Sequence, residues 1–396
     1  MKYGFLIIIL LSIFFLTGCW NRRELNELAL AVAMSIDKVD GEYEVTIQVV
    51  DPGEVASKKG TSGRSPVTTY TEKGAHLFEA VRRITTISPR RMYFSHLQMF
   101  VLSEGVAKEG IKNTLDFLTR DAEFRKDFYI VVTKDIQAKE ILQNLTSLEK
   151  IPANKLHSSL EASEKSWAPT VAVQMDELIS SLTSDGKDPV LTGITIVGNV
   201  EKGKSNQNVE KINPYSRLKY TSIAVFKMDK MVGWLNEKES KGYNYIAENV
   251  ENTVGSTPCP DKGELVIEIF KSKSKVKGKV VNGKPEIDIK TTIQANIAEV
   301  ACHLDLTKPE SLAKIEKKSA KVNEEIIKAS IDKAKELQAD IFGFGEVIHR
   351  SNPKAWRTLK NNWQQEFVNL PVHVKTEIKI RRTGTVNQSF IEKLKE

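Results

Sequence analysis

An uninterrupted apolar run from Phe5 to Leu16 closes on Leu16-Thr17-Gly18-Cys19, and this constrains the chain more than any other feature. One lysine, Lys2, precedes the run, and small residues lead straight to the cysteine. That is the order of a lipoprotein signal peptide, residues 1–18, cut just before Cys19. Cys19 then becomes the mature N-terminus and the lipidation site, and its diacylglyceryl thioether holds the chain at a membrane outer face without spanning it. About 12 apolar residues fall short of the roughly 17 to 25 needed to cross a hydrocarbon core. No A-x-A-like site for ordinary secretory cleavage is present. Folding is therefore expected to begin after residue 18.

Removing 18 residues from 396 leaves 378, enough for two or three domains with proper cores. No other apolar run approaches spanning length; Ile194 to Val197 and Leu265 to Phe270 are strand-sized. The formal net charge is +7, with a pI near 9.0, and only Lys2 of that excess leaves with the signal. The balance suits an anionic membrane surface. Nucleic acid is excluded as a partner, because Lys and Arg are interleaved with Asp and Glu nearly everywhere and the chain is exported.

Of the three cysteines, Cys19 is consumed by the lipid, leaving Cys259 and Cys302 in a compartment that permits disulfides. A bridge between them is expected, with two buried free thiols as the alternative. It would close a loop of about 40 residues and restrict the unfolded chain by roughly 4 kcal/mol, which makes it structural. No C-x-x-C supports redox chemistry. The histidines, His76, His96, His157, His303, His349 and His373, show no metal-ligand spacing, so neither a metal nor a cofactor is expected.

Ala29 to Asp37 and Tyr43 to Val50 alternate with β-branched residues around Val39-Asp40-Gly41-Glu42, which predicts a hairpin. Pro52 to Pro66 has almost nothing to bury and reads as a mobile loop. Helical faces follow at Leu77, Phe78, Val81 and Ile84, then Ile111, Leu115 and Leu118, then Val171, Met175, Leu178, Ile179 and Leu182. Strands are expected at Gln98 to Leu102, Phe128 to Thr133 and Ile194 to Val197. This mixture, opening on a hairpin, argues α+β rather than a regular parallel βαβ sheet. Glu201 to Ser216 reads as a linker. A strand at Tyr220 to Lys227, Val232 to Asn236 and a helix around Tyr243 to Val250 make a small middle unit. Strands at Glu264 to Lys271, Lys275 to Val281 and Glu286 to Val300, with a type I′ turn at Asn282-Gly283, predict a long antiparallel meander. Pro309 to Ala339 reads as one helix whose stripe is Leu312, Ile315, Val322, Ile326, Ala329 and Leu337. Pro353 opens a shorter helix bearing Trp356, Leu359, Trp363 and Phe367, before a last strand at Val372 to Ile380. The division expected is 19–200, 201–260 and 261–396.

Chemistry is thin. Ser-x-x-Lys occurs four times, starting at Ser147, Ser272, Ser311 and Ser351, without the S-D-N element of acyl-transfer enzymes, and no G-x-S-x-G is present. Gly343-Phe344-Gly345 lacks the third glycine of a phosphate loop and reads as a helix C-cap with a tight turn. Arg120, Asp121, Glu123 and Arg125 read as a solvated ion-pair surface. Trp356 and Trp363, seven apart, share a helix face and read as core. No catalytic residue is assigned.

Trp20-Asn21-Arg22-Arg23-Glu24-Leu25-Asn26-Glu27-Leu28-Ala29 after the lipobox resembles the start of the C subunit of bacterial spore nutrient-germinant receptors, the Ger(x)C lipoproteins. The C-terminal signature is similar too: Gln338 to Glu346, then Pro353, Trp356, Trp363 and Phe367, then Arg382-Thr383-Gly384. Between them, Phe94-Ser95-His96-Leu97, Arg120-Asp121, Gly233-Trp234-Leu235-Asn236 and Gly242-Tyr243-Asn244 also resemble family segments. Asn21 stands where the family more often carries Asp. The resemblance implies a three-domain, elongated α+β lipoprotein with mixed or antiparallel sheets flanked by helices. It implies a place on the outer face of the spore inner membrane beside two integral membrane subunits, without enzymatic activity. The small-molecule germinant would bind elsewhere in the complex. The rival reading is a lipid-anchored solute-binding protein of a transporter; such proteins have two lobes of alternating β and α elements, unlike the meander and a helix of roughly 30 residues here.

Overall fold

The computed structural model describes residues 27–56, 64–259, 263–302 and 304–382. The signal run, Cys19, the segment 20–26, most of the expected loop after Ala56, His303, and Thr383-Gly384 lie outside the described residues. The fold is α+β with two mixed sheets flanked by helices. The first sheet contains β1 (Leu28–Val39), β2 (Glu42–Val50), β3 (Val67–Gly74), β4 (Arg91–Tyr93), β5 (Met99–Leu102), β6 (Tyr129–Thr133), β7 (Val190–Gly198), β8 (Ser216–Lys227) and β9 (Lys230–Leu235). Its order is β3-β2-β1-β5-β6-β7-β8-β9, with β4 beside β1. The expected hairpin is there: Val39 faces Glu42 across Asp40 and Gly41, both at positive φ, as a type I′ turn requires.

This sheet is mixed, as expected, and its parallel part lies at the centre. β1, β5, β6 and β7 run parallel, and antiparallel hairpins flank them on both sides. The cause is visible in Met99-Phe100-Val101-Leu102, which is buried at every position. A strand apolar on both faces belongs inside a sheet covered on both sides. Phe100 and Leu102 point into one core with Met34, Ile36, Ile130 and Val132; Met99 and Val101 point into the other with Ala33, Val131 and Ile194. Helices α1 (Leu77–Arg83), α2 (Glu104–Glu109) and α3 (Lys112–Arg120) cover the first core. Helices α4 (Ala138–Gln143) and α5 (Pro152–Ser166) cover the second, and α6 (Met175–Leu182) returns to the first. Asp37 ties α4 to the sheet by accepting from Ala138 N and Lys139 N at 2.8 and 2.9 Å, which satisfies two free donors of a helix start. Phe78 departs from its expected face: it is half exposed, edge-on to Phe117, while Leu77, Ala80 and Ile84 are buried. Pro52–Ala56 is a short helix, not loop.

The segment 201–260 has no sheet of its own among the described residues. β8 and β9 extend the first sheet, and α7 (Glu237–Ile246) packs on the C-terminal half. The linker expectation at Glu201 to Ser216 contains short helices at Val200–Gly203 and Asn206–Asn208; Asn208 is buried and pairs with both backbone groups of Ser216.

The second sheet holds β10 (Thr253–Pro258), β11 (Glu264–Val281), β12 (Lys284–Val300) and β13 (Val372–Arg382), in that order. β11 is one long strand with register shifts near Val266 and Ile269 where two strands were expected. The Asn282-Gly283 turn has positive φ at both residues. The expected meander is thus one long hairpin of β11 and β12 with β10 on its edge, and the last strand, β13, runs parallel to β12, because the chain first crosses over through α8 (Pro309–Glu336), α9 (Phe344–Ser351), α10 (Pro353–Leu359) and α11 (Trp363–Asn369).

The buried face of α8 is turned from the expected stripe. Ile315, Ser319, Asn323, Ile327, Ser330, Ile331 and Ala334 are buried, while Val322, Ile326 and Ala329 are only half buried. Small and polar positions win because backbones approach closely there. A Cβ on Gly242 of α7 would stand 2.4 Å from the Ile326 carbonyl oxygen and 2.7 Å from Ser330 Cβ. Two of the three buried polar members are paired inward: Ser319 Oγ with Thr257 Oγ1 at 2.8 Å, and Asn323 Oδ1 accepting from Thr376 Oγ1 at 3.0 Å. Periodicity counts apolar residues, so it misses a helix face chosen by closeness.

Candidate functional site

The C-terminal signature builds a joint between the two sheets. α8 ends at Leu337, Gln338 follows at positive φ, and Gly343 at φ 70° is the N-cap of α9. The Gly343-Phe344-Gly345 turn therefore starts a helix, where a C-cap was expected. Asp340, buried in this turn, accepts from Phe344 N (3.0 Å), Gly345 N (2.8 Å) and Trp363 Nε1 (2.9 Å). Its backbone is clasped by Asp188, just before β7: Asp340 N donates to Asp188 Oδ2, and Asp188 N donates to the Asp340 carbonyl, each at 2.8 Å. Asp188 Oδ1 also accepts from Met228 N, between β8 and β9, at 2.9 Å. Burial pushes the Asp340 carboxyl up to about 7, with its three N–H donors pulling it down and Asp188 adding to the rise.

Glycines let the joint close. A Cβ on Gly186 would lie 2.7 Å from Glu346 N, and one on Gly345 would meet Gly186 Cα at 2.6 Å and Trp363 Nε1 at 2.8 Å. Trp356 and Trp363 meet edge to face, 5.2 Å between centroids, and Trp356 stacks on His349. Both tryptophans, Leu359 and Phe367 are buried, as expected, although α10 and α11 are separated by a 3₁₀ turn at Lys360–Asn362.

Beside the joint lies a cleft of about 730 Å³ between α5, α6, the approach to β7 and the end of α7. Glu164, Asp176, Glu177, Asp188, Glu248 and Glu251 line it, with Lys165 and Lys187. Backbone N–H groups engage several of these carboxylates: Ala172 N on Glu164, Gln174 N on Glu177 and Ser274 N on Glu248. Burial holds the Glu164 carboxyl above its ordinary value, and Glu177 and Glu251 add repulsion. Burial likewise raises the Tyr243 phenol on the same wall.

The other family-like segments are also joints. Phe94 stacks on Phe124 with centroids 4.5 Å apart, and Ser95 Oγ donates to the Glu123 carbonyl. Gly233 leaves room for Leu337, Trp234 Nε1 donates to Glu104, and Asn236 caps α7 in a box with Glu239. Asn244 Nδ2 donates to the carbonyls of Ala168 and Thr170. In the charge cluster, Arg120 holds Asp116, Arg125 holds Asp127, Arg91 reaches Glu123, and Asp121 accepts from Glu123 N. Ser272, the start of one Ser-x-x-Lys match, is half buried on β11 with its Oγ enclosed. No group of metal-ligating side chains occurs among the described residues. Cys19 lies outside them; the Cys259 and Cys302 sulfurs lie at bonding distance, Cα atoms 6.3 Å apart, where β10 and β12 end. Sequence reasoning missed Asp188 and Gly186, because a loop carboxylate and a loop glycine carry no local pattern.

Known proteins place this architecture. The spore germination protein N-terminal domain family matches residues 21–196, and the family described as spore germination B3/GerAC like, C-terminal, matches residues 221–384. Spore germination protein KC of Bacillus subtilis (strain 168) is 33% identical over 98% of both chains. Spore germination protein B3 of the same organism is 24% identical over 98% of this chain and 99% of its own. The crystal structure of the GerBC protein superposes with a TM-score of 0.57 at 19% identity, covering 88% of this chain and 96% of that one, which establishes the shared fold. The class is that of spore-germination receptor components. The chain belongs to the Ger(x)C family, the C subunits of germinant receptors.

Proposed function

We infer that this chain is a non-catalytic, lipid-anchored subunit of a nutrient-germinant receptor, held on the outer face of the spore inner membrane by a diacylglyceryl group on Cys19. It acts beside two integral membrane subunits, and the germinant binds elsewhere in the complex. The observation that carries this is the near full-length match to spore germination protein KC. Two further points support it: the family-like segments serve as packing joints, and no helix of the described residues is long and apolar enough to cross a membrane. The transporter solute-binding reading is not favoured, since both halves match spore-germination families.

The test is Cys19→Ala in the native host. The variant is expected to escape lipidation and processing, to be poorly retained on membranes, and to slow nutrient-triggered germination, while germination by agents that bypass nutrient receptors survives. One acyl chain binds only marginally and two hold firmly, so the loss should be large. Normal processing, retention through high-salt washing and a parental response to nutrients would overturn the anchored reading. Crosslinking in dormant-spore membranes should recover two integral membrane proteins with this chain; recovery of neither sinks the partner assignment.

A further inference from the structure

The outer face of the second sheet carries a row of lysines, most of them without an ion-pair partner among the described residues. Along β11, Lys271, Lys273, Lys275, Lys277 and Lys279 occupy alternate, exposed positions and so project from the same face. Interleaving with Ser272, Ser274, Val276 and Gly278 hides this stripe in the sequence. The register adds to it at one point, where Lys275 lies opposite Lys290 and Lys290 opposite Lys375, and offsets it at the hairpin end, where Asp288 faces Lys277 and Glu286 faces Lys279. Like charges directly across a sheet destabilise it. Lys279 is answered by Glu286 and Asp288, and Lys290 and Lys375 share Glu377. Lys271, Lys273, Lys275 and Lys277 have no ion-pair partner among the described residues. Lys271, Lys273, Lys275 and Lys290, with the neutral donors Thr292 and Gln294, surround a shallow basin of about 400 Å³.

Lysines also guard open strand edges, and β11 is open beyond Ile269, where its pairing with β10 ends. Edge guarding does not require five lysines on one face with a like-charged crossing at Lys275, Lys290 and Lys375. From Lys271 to Lys279 the row runs about 26 Å, a length suited to a layer of phosphates rather than to one small anion.

We propose that this lysine face docks on the anionic phospholipid headgroups of the membrane, setting the orientation in which the C-terminal half stands on the bilayer. The proposal rests on the anchored reading above and adds to it a defined contact face. Each lysine near an anionic leaflet strengthens attachment about fivefold, and the attraction falls off within a Debye length of about 10 Å, so the face must lie against the lipid to work.

The lipidated full chain is reconstituted into vesicles of phosphatidylcholine alone or of equal parts phosphatidylcholine and phosphatidylglycerol, and lysine acylation by a water-soluble reagent is read by mass spectrometry. Lys273, Lys275 and Lys277 are expected to react about tenfold more slowly in the anionic vesicles, and high salt should restore their reactivity. Lys317 and Lys328 on α8 should react alike in both. The variant Lys273→Gln/Lys275→Gln/Lys277→Gln should leave thermal unfolding unchanged and abolish the anionic-lipid protection of Lys271. Equal reactivity in both vesicles overturns the proposal, as does protection seen only when the membrane subunits are co-reconstituted, which would assign the face to an acidic protein surface. A variant that self-associates while Lys271 keeps its protection identifies edge guarding instead. Loss of the chain from both vesicle types during flotation would strike at the anchor, not at the face.

Discussion

The two sheets bury themselves differently. The centre of the first is closed to solvent on both faces, with Phe100 and Leu102 in one core and Met99 and Val101 in the other. The second is covered on one face only: Ile287, Ile289, Ile293 and Ile378 pack under α8 to α11, while the alternate residues are largely polar, exposed and lysine-rich. A sheet buried on both sides can only support, whereas one with a free charged face has a surface to offer. The Asp188–Asp340 clasp and a core shared by Val190, Ile223, Val225 and Leu235 with the C-terminal half make the two behave as one body.

The sharpest way to break that comparison is Trp363→Ala. It deletes a buried indole and removes one of the two donors to Asp340 Oδ2, which keeps Gly345 N; this should cost roughly 3 to 5 kcal/mol. If the joint couples the halves, hydrogen exchange should quicken in β1 and β6 as well as in β12. Faster exchange confined to β12 would show two independent bodies. Unchanged unfolding with lost subunit association would make Trp363 an interface residue.

The next effect belongs to the second sheet alone. We propose that Cys259 and Cys302 are bridged, and the separation of 43 residues makes the loop constraint worth about 4 kcal/mol in the entropy model. Cys259→Ser/Cys302→Ser should lower stability by about that much, without altering the first sheet's fold. Recovery of both cysteines alkylated without prior reduction, from protein made in an oxidising compartment, would show free thiols.

A pH dependence should come from the joint. The folded Asp340 carboxyl sits at about 7, whereas an unfolded Asp titrates near about 3.9. Between those values the folded chain keeps a proton that the unfolded chain releases, so this group's contribution to stability falls as pH rises. It is fully present below about pH 4 and gone above about pH 7, with a slope of at most about 1.4 kcal/mol per pH unit. Urea unfolding of the parent and Asp340→Asn across this window should differ by that slope. Parallel profiles would remove Asp340 as the source.

The smallest effect is expected at Phe78, which is half exposed against Phe117. Phe78→Ala should shift stability by about 1 kcal/mol or less, as at other exposed sites. A loss as large as that at Trp363 would mean that this flank of the first sheet is covered in the working protein.

Elements whose signal is local were legible. The β1–β2 hairpin, the Asn282-Gly283 turn, the Pro353 helix start and the burial of Trp356, Trp363 and Phe367 each follow from a few neighbouring residues. The buried face of α8 was not legible, because Gly242 from another helix decides it. Nor was the parallel pairing of β12 with β13, since alternation reads the same whichever way the neighbouring strand runs.

By itself the sequence determined the α+β class, the family, the aromatic core of the C-terminal half and the Cys19 motif, all carried by residue types at short spacing. Tertiary structure alone decided that Asp188 and Gly186 meet Asp340 and Gly345 across more than 150 residues. It also decided that β8 and β9 join the first sheet, and that alternating lysines become one charged face. The physical reason is the same in each case: a hydrogen bond, a backbone approach or a charge row is a relation between distant segments, and its energy exists only once folding has brought them together.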